Sequence, residues 1–256
     1  MEKTIKAVGI VIPAHNEVDE IDRCLAAVFS AIAHAQKTHP HLYFSLHCVT
    51  DACTDGTETV VKKHLRQKFP VHIDTVNFRN PAQTRNHGIQ RFLAEPAVRD
   101  LNSDEIWLAM TDADTVVPTH WLTEQIALAK QGADAIIGTV EPRKSELGSD
   151  LYNAWLDLHN LSEGHTHVFG ANLGIRATAY QRVGGFAPLA HSEDAALVTA
   201  LEQAGFSLRK TDRVRAITSG RFQGKVDHGF STYLQDLSLS SSSLNSLPPE
   251  SLAPSQ

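Results

Sequence analysis

Four short apolar runs in the first half of the chain constrain its fold more than any other feature. They cover residues 7–12, 43–49, 71–76 and 106–111. Three segments with helical spacing separate them. In the first, Ile21, Leu25, Val28, Phe29 and Ile32 recur every three or four residues, which predicts a helix to about Lys37, capped by Asn16 or Asp19. The second is carried by Val60, Val61 and Leu65. The third, over 82–93, holds Arg85, Asn86 and Gly88. Strands alternating with helices predict an α/β fold with a largely parallel sheet and helices on both faces.

In such a sheet, ligands bind outside the carboxyl ends of the strands. Three of the four runs end in loops rich in carboxylates and amides: Pro13-Ala14-His15-Asn16-Glu17, Thr50-Asp51-Ala52-Cys53-Thr54-Asp55-Gly56-Thr57, and Asp112-Ala113-Asp114. All three should open on one edge. Asp and Asn are also ordinary turn residues, so no single loop is decisive. Their coincidence on one edge is harder to assign to turn chemistry. Asp112 and Asp114, one residue apart, repel each other unless a cation lies between them, and Mg²⁺ typically takes one or two carboxylates plus phosphate oxygens.

The second half is less regular. Residues 121–130 and 151–161 read as helices and 135–140 as a strand. Gly170-Ala171-Asn172, with glycines on both sides of Asn172, suggests close backbone approach or a tight bend. Gly184-Gly185-Phe186 is a turn. Glu193-Asp194 opens a helix, where acids also serve to offset the helix dipole. Arg213, Arg215, Arg221 and Lys225 form either a diphosphate contact or a solvated basic face. Tyr152 and Trp155 suit core packing at their helical spacing, with stacking on an acceptor as the other reading. From about residue 237 the composition turns to Ser, Leu and Pro without period, which predicts a disordered tail over 237–256.

A net charge of −6 and a pI near 6.1 argue against a nucleic-acid binder. Three scattered cysteines make no disulfide framework and no zinc spacing, so a reducing cytoplasm is expected. The fourteen histidines share no metal-ligand spacing, and the close pair His165 and His167 lacks the further ligands zinc needs. No stretch approaches the roughly 18 apolar residues of a membrane span.

These motifs, in this order, resemble the family-2 glycosyltransferases of the GT-A fold, over most of residues 7–230. The resemblance rests on the three loops above with Arg85-Asn86-His87-Gly88, Gly170-Ala171-Asn172, Gly184-Gly185-Phe186 and Glu193-Asp194. It implies a mixed, mostly parallel sheet. It also implies a nucleotide-diphosphate sugar donor, an acceptor hydroxyl, and Mg²⁺ or Mn²⁺. Residues 1–115 would form the nucleotide-sugar half and 116–236 the acceptor half of one domain. Pro13, Ala14, His15, Asn16, Glu17, Asp51, Arg85, Asn86, Asp112 and Ala113 would hold the nucleotide sugar. Asp114, with Asp112 and His228, would ligate the metal. Gly170, Ala171 and Asn172 are assigned to the acceptor. Asp194 is the expected general base of an inverting transfer, and Glu193 the residue that orients the acceptor. Thr50 stands where a first acid is frequent, and His15 where an aromatic residue is frequent, so the preferred base stays open.

Two rivals stand beside this reading. A sugar-phosphate nucleotidyltransferase would carry a Gly-rich basic loop after the first strand, and residues 13–17 are not one. A non-catalytic nucleotide-sugar-binding protein would have no need of Asp112, Asp114 and Asp194 together.

Overall fold

The computed structural model describes residues 3–189 and 191–221. The chain runs through β1 (Ala7–Ala14), α1 (Ile21–Thr38), β2 (Tyr43–Asp51), α2 (Thr57–Lys62), β3 (Val71–Val76) and α3 (Pro81–Leu93). It continues through β4 (Ile106–Met110), β5 (Thr115–Val116), α4 (Trp121–Lys130), β6 (Ala135–Pro142), α5 (Lys144–Leu147) and α6 (Ser149–Leu158). The last elements are β7 (Leu173–Arg176), α7 (Ala177–Arg182), α8 (Glu193–Gln203) and β8 (Leu208–Thr218). The eight described strands form one sheet in the order β3-β2-β1-β4-β7-β6-β8-β5. Strands β1 to β4 pair in parallel, as expected from the alternation of strand and helix. β7 runs antiparallel to both β4 and β6.

Alternation along the strands divides the core. Val8, Ile10 and Ile12 of β1 pack with α1 and α4 on one face, while Ala7 and Val11 pack with α3, α7 and α8 on the other. Both faces are covered, which is why these strands read as continuous apolar runs. Helix α3 begins where Asn80 accepts a hydrogen bond from the Gln83 amide (2.9 Å) ahead of Pro81, a cap that satisfies an otherwise orphaned donor. Gly88 lets the helix lie against the sheet, because a Cβ there would stand 2.6 Å from Val11.

Several boundaries differ from the sequence expectation. Neither Asn16 nor Asp19 caps α1, which starts after Glu20 without a side-chain cap. α2 stops at Lys62, leaving Leu65 exposed. His165 is buried and its Nε2 lies 3.1 Å from the Ile137 carbonyl. β8 was not anticipated from sequence. Among the described residues no helix is long and apolar enough to cross a membrane.

Candidate active site

The carboxyl ends of β1, β2 and β4 open into a cleft of about 920 Å³. β7 runs the other way, so the segment entering it, Gly170–Asn172, reaches the same edge from the opposite direction. The start of α8 and the end of β8 close the remaining side.

The first two loops are stitched together. The Glu17 amide donates to Thr57 Oγ1 (2.7 Å), the Val18 amide to Asp55 (3.1 Å) and the Thr54 amide to Asn16 Oδ1 (2.7 Å). His15 Nδ1 meets the Asp51 carbonyl at 2.6 Å. The Asp51 carboxylate is buried and accepts from the Arg79 amide (2.8 Å), the Asn80 amide (3.0 Å) and the Thr84 hydroxyl (2.8 Å). An ionised carboxylate has about four acceptor positions, so most of its capacity fixes the loop before α3. Four described non-glycine residues have left-handed backbone: Asn16, Ala52, Arg79 and Ser192, with φ of 53°, 51°, 51° and 60°. All four line the cleft.

Arg85 is the hinge of the electrostatics. Its guanidinium is 4% exposed and pairs with Asp112 on one side and Glu193 on the other, each at 2.5 Å. Burial alone would lower its pKa, but Asp112 and Glu193 outweigh that and raise it. Beside this bridge the Asp194 carboxylate accepts the Gly170 amide (2.7 Å) and its own neighbour's amide, Ala195 (2.8 Å). Space beside Gly170 is tight, since a Cβ there would stand 3.1 Å from Arg85 and 3.3 Å from Asp194.

Asp114 lies one strand-end further. One oxygen accepts from the Thr218 and Thr115 hydroxyls at 3.2 Å each, and the other meets Arg221 at 3.0 Å. Arg221 also grips Glu17 with both arms at 2.6 Å. Burial raises the Asp114 pKa to about 6, with Asp112 and Glu17 adding to the effect and Arg221 and Thr218 opposing it. A guanidinium thus stands among the oxygens that a hard cation would take. The donor set is all oxygen, as Mg²⁺ and Mn²⁺ favour, so these residues fit such an ion.

Two expected site residues leave the cleft. Asn172 is fully buried: Trp121 Nε1 donates to its Oδ1 (2.9 Å), and its Nδ2 donates to the Thr139 and Val214 carbonyls (2.9 and 2.7 Å). With its amide satisfied in the core it cannot hold an acceptor, and Gly170 and Ala171 remain on the cleft wall. Asn86 binds the Phe186 amide and carbonyl (3.0 and 2.8 Å) and the Tyr180 hydroxyl, so it secures the Gly184–Gly185 turn rather than a nucleotide. His228, Lys225 and the tail lie outside the described residues. Sequence reasoning overlooked Arg79, Asn80, Thr84 and Thr218, which are separated from the motifs they serve until the chain folds.

The model of glycosyl transferase family 2 matches residues 9–182. The chain belongs to that family. Glycosyltransferase AglE of Haloferax volcanii is 26% identical over 148 residues, which are 55% of this chain and 41% of AglE. Among solved structures, this family-2 glycosyltransferase resembles the mannosyltransferase PcManGT from Pyrobaculum calidifontis, in complex with GDP-Man and Mn²⁺. The TM-score is 0.62 at 16% identity, over 91% of this chain and 63% of that one. It also resembles Mycobacterium tuberculosis glucosyl-3-phosphoglycerate synthase, with a TM-score of 0.55 at 15% identity over 98% and 85% of the two chains. These likenesses show the GT-A fold. The chain spans under two thirds of the length of AglE and of PcManGT.

Proposed function

We propose that this glycosyltransferase moves a sugar from a nucleoside-diphosphate donor to an acceptor hydroxyl with inversion, using Mg²⁺ or Mn²⁺ and Asp194 as general base. One observation carries the reading. Both acids opening α8 line the cleft, but Glu193 is paired with Arg85, whereas Asp194, among the described residues, has no ion-pair partner. A carboxylate so placed accepts a proton.

In the proposed reaction the acceptor oxygen attacks the anomeric carbon and its proton passes to an Asp194 oxygen. The bond from that carbon to phosphate breaks, and its electron pair leaves with the diphosphate. A positioned base contributes typically 10²–10⁴-fold. Asp114, with Asp112 and Glu17 beside it, would hold the cation, which when bound stabilises the leaving charge as a Lewis acid. The loops at 13–17 and 51–57, with Arg79 and Asn80, would receive the nucleotide. Gly170 and Ala171 would border the acceptor. Glu193 positions Arg85 and, through it, Asp112. The three free cysteines, two of them buried, support a reducing cytosolic setting.

Calorimetry with GDP-mannose, UDP-glucose and related donors, with and without Mn²⁺, tests the donor and metal assignments. Asp194→Asn should bind donor as the parent does and lose transfer at least 10²-fold, with the product anomer read by NMR in the parent. Undiminished transfer by Asp194→Asn, or retention at the anomeric carbon, would reject Asp194 as the inverting base.

A further inference from the structure

Away from the cleft, three side chains converge on the α3-covered face of the sheet. His47 of β2 and His72 of β3 are direct partners in the parallel ladder, and their rings stack with centroids 4.7 Å apart. Glu95, two residues beyond α3, lies over both. Its Oε1 is 2.7 Å from His47 Nε2 and 3.1 Å from His72 Nε2. None of the three lines the cleft.

That oxygen also takes the Ser45 hydroxyl at 2.7 Å, and His72 Nε2, turned toward it, makes no hydrogen bond. The geometry points to a divalent metal site formed by His47 Nε2, His72 Nε2 and Glu95 Oε1, with Zn²⁺ as the ion. Two imidazoles and one carboxylate are a ligand set of zinc sites that keep a fourth position for water. Zinc–ligand distances of about 2.0–2.1 Å at tetrahedral angles put ligand atoms roughly 3.3 Å apart; His72 Nε2 stands near that separation from Glu95 Oε1, at 3.1 Å, whereas His47 Nε2, at 2.7 Å, would have to draw back to admit the ion. All three ligand atoms lie within 4.8 Å of one another.

The surroundings suit the ion. With the ion bound, the Tyr43 and Ser45 hydroxyls would keep donating to the two Glu95 oxygens (2.7 Å each), the outer-shell support that orients ligating carboxylates. The His72 side chain is 43% exposed while its Nε2 is turned inward toward Glu95. His47 is fully enclosed, so the ion would clamp β2, β3 and the end of α3, the three elements that carry Asp51, the 79–80 loop and Arg85.

The test is zinc titration of metal-stripped full-length protein carrying Asp114→Ala, so that the cleft contributes no site, against a chromophoric chelator. One equivalent should bind and raise Tm. Adding His72→Ala, a half-exposed change the fold tolerates, or Glu95→Gln should weaken binding at least tenfold and abolish the Tm shift. Co²⁺ should give the visible absorption of a four-coordinate ion, lost in the same variants. Absence of a bound equivalent, or unchanged affinity after His72→Ala, would overturn the site and leave a proton-shared polar cluster. Because the cleft is disabled throughout, this result is independent of the transfer reaction.

Discussion

Arg85, itself buried, joins Asp112, 27 positions along the chain, to Glu193, 108 positions along. Removing one member of such a buried set leaves uncompensated charge, at about 3–5 kcal/mol. Arg85→Met should therefore lower Tm sharply. Arg85→Lys keeps the charge but not the two-armed fork, and should fold while losing roughly 10²-fold in kcat through misplacement of Asp112; full activity in Arg85→Lys would contradict the bridging role. Asp114 gives a pH prediction. Its folded pKa of about 6 exceeds its ordinary value, so its contribution to stability is present below about pH 4 and is lost as pH rises through 6. Metal binding needs the ionised form, and Mn²⁺ affinity should weaken about tenfold per unit below pH 6. Calorimetry at pH 5 and 7 checks this, and Asp114→Asn should lose Mn²⁺ binding at both values.

At the scale of elements, legibility followed burial. β1, β2 and β4 are covered on both faces, and their apolar runs, together with the polar loops behind them, were visible as sequence. β8 was not. Its buried positions are Thr211, then Val214, Ala216 and Thr218, so the inward phase shifts from odd to even where its pairing with β6 jumps between Gly138 and Val140. A period of two cannot be read across that irregularity, and the intervening Asp212, Arg213 and Arg215 disguise the strand as a basic surface. The family resemblance assigns Asn86 and Asn172 to the site through the motifs that hold them; their partners, Phe186 and Trp121, become neighbours only through tertiary packing. Close packing gives a further test at this scale. A Cβ on Gly9 would stand 2.2 Å from the Phe92 ring, so Gly9→Ala should cost about 1–3 kcal/mol by overpacking, seen as a lower denaturation midpoint with an unchanged m-value.

For the molecule as a whole, ligand and fold are linked. The cleft draws on both ends of the described chain, from Pro13 to Arg221. Donor with Mn²⁺ at about 100 times its Kd should add about 2.7 kcal/mol, or roughly 5–10 °C in Tm for a chain of this size. A nucleotide sugar that binds without raising Tm would show that it engages some other state.

The four left-handed residues of the cleft carry a lesson for engineering. Each L-residue in that conformation costs roughly 1–2 kcal/mol, and glycine would relieve it at an entropic cost of roughly 0.5–1 kcal/mol. Ala52→Gly should thus leave the protein as stable as before or up to about 1.5 kcal/mol more so, while loosening a turn that lines the cleft. A search for hardier variants would be drawn to these positions first, and turnover would be the property it risked losing there.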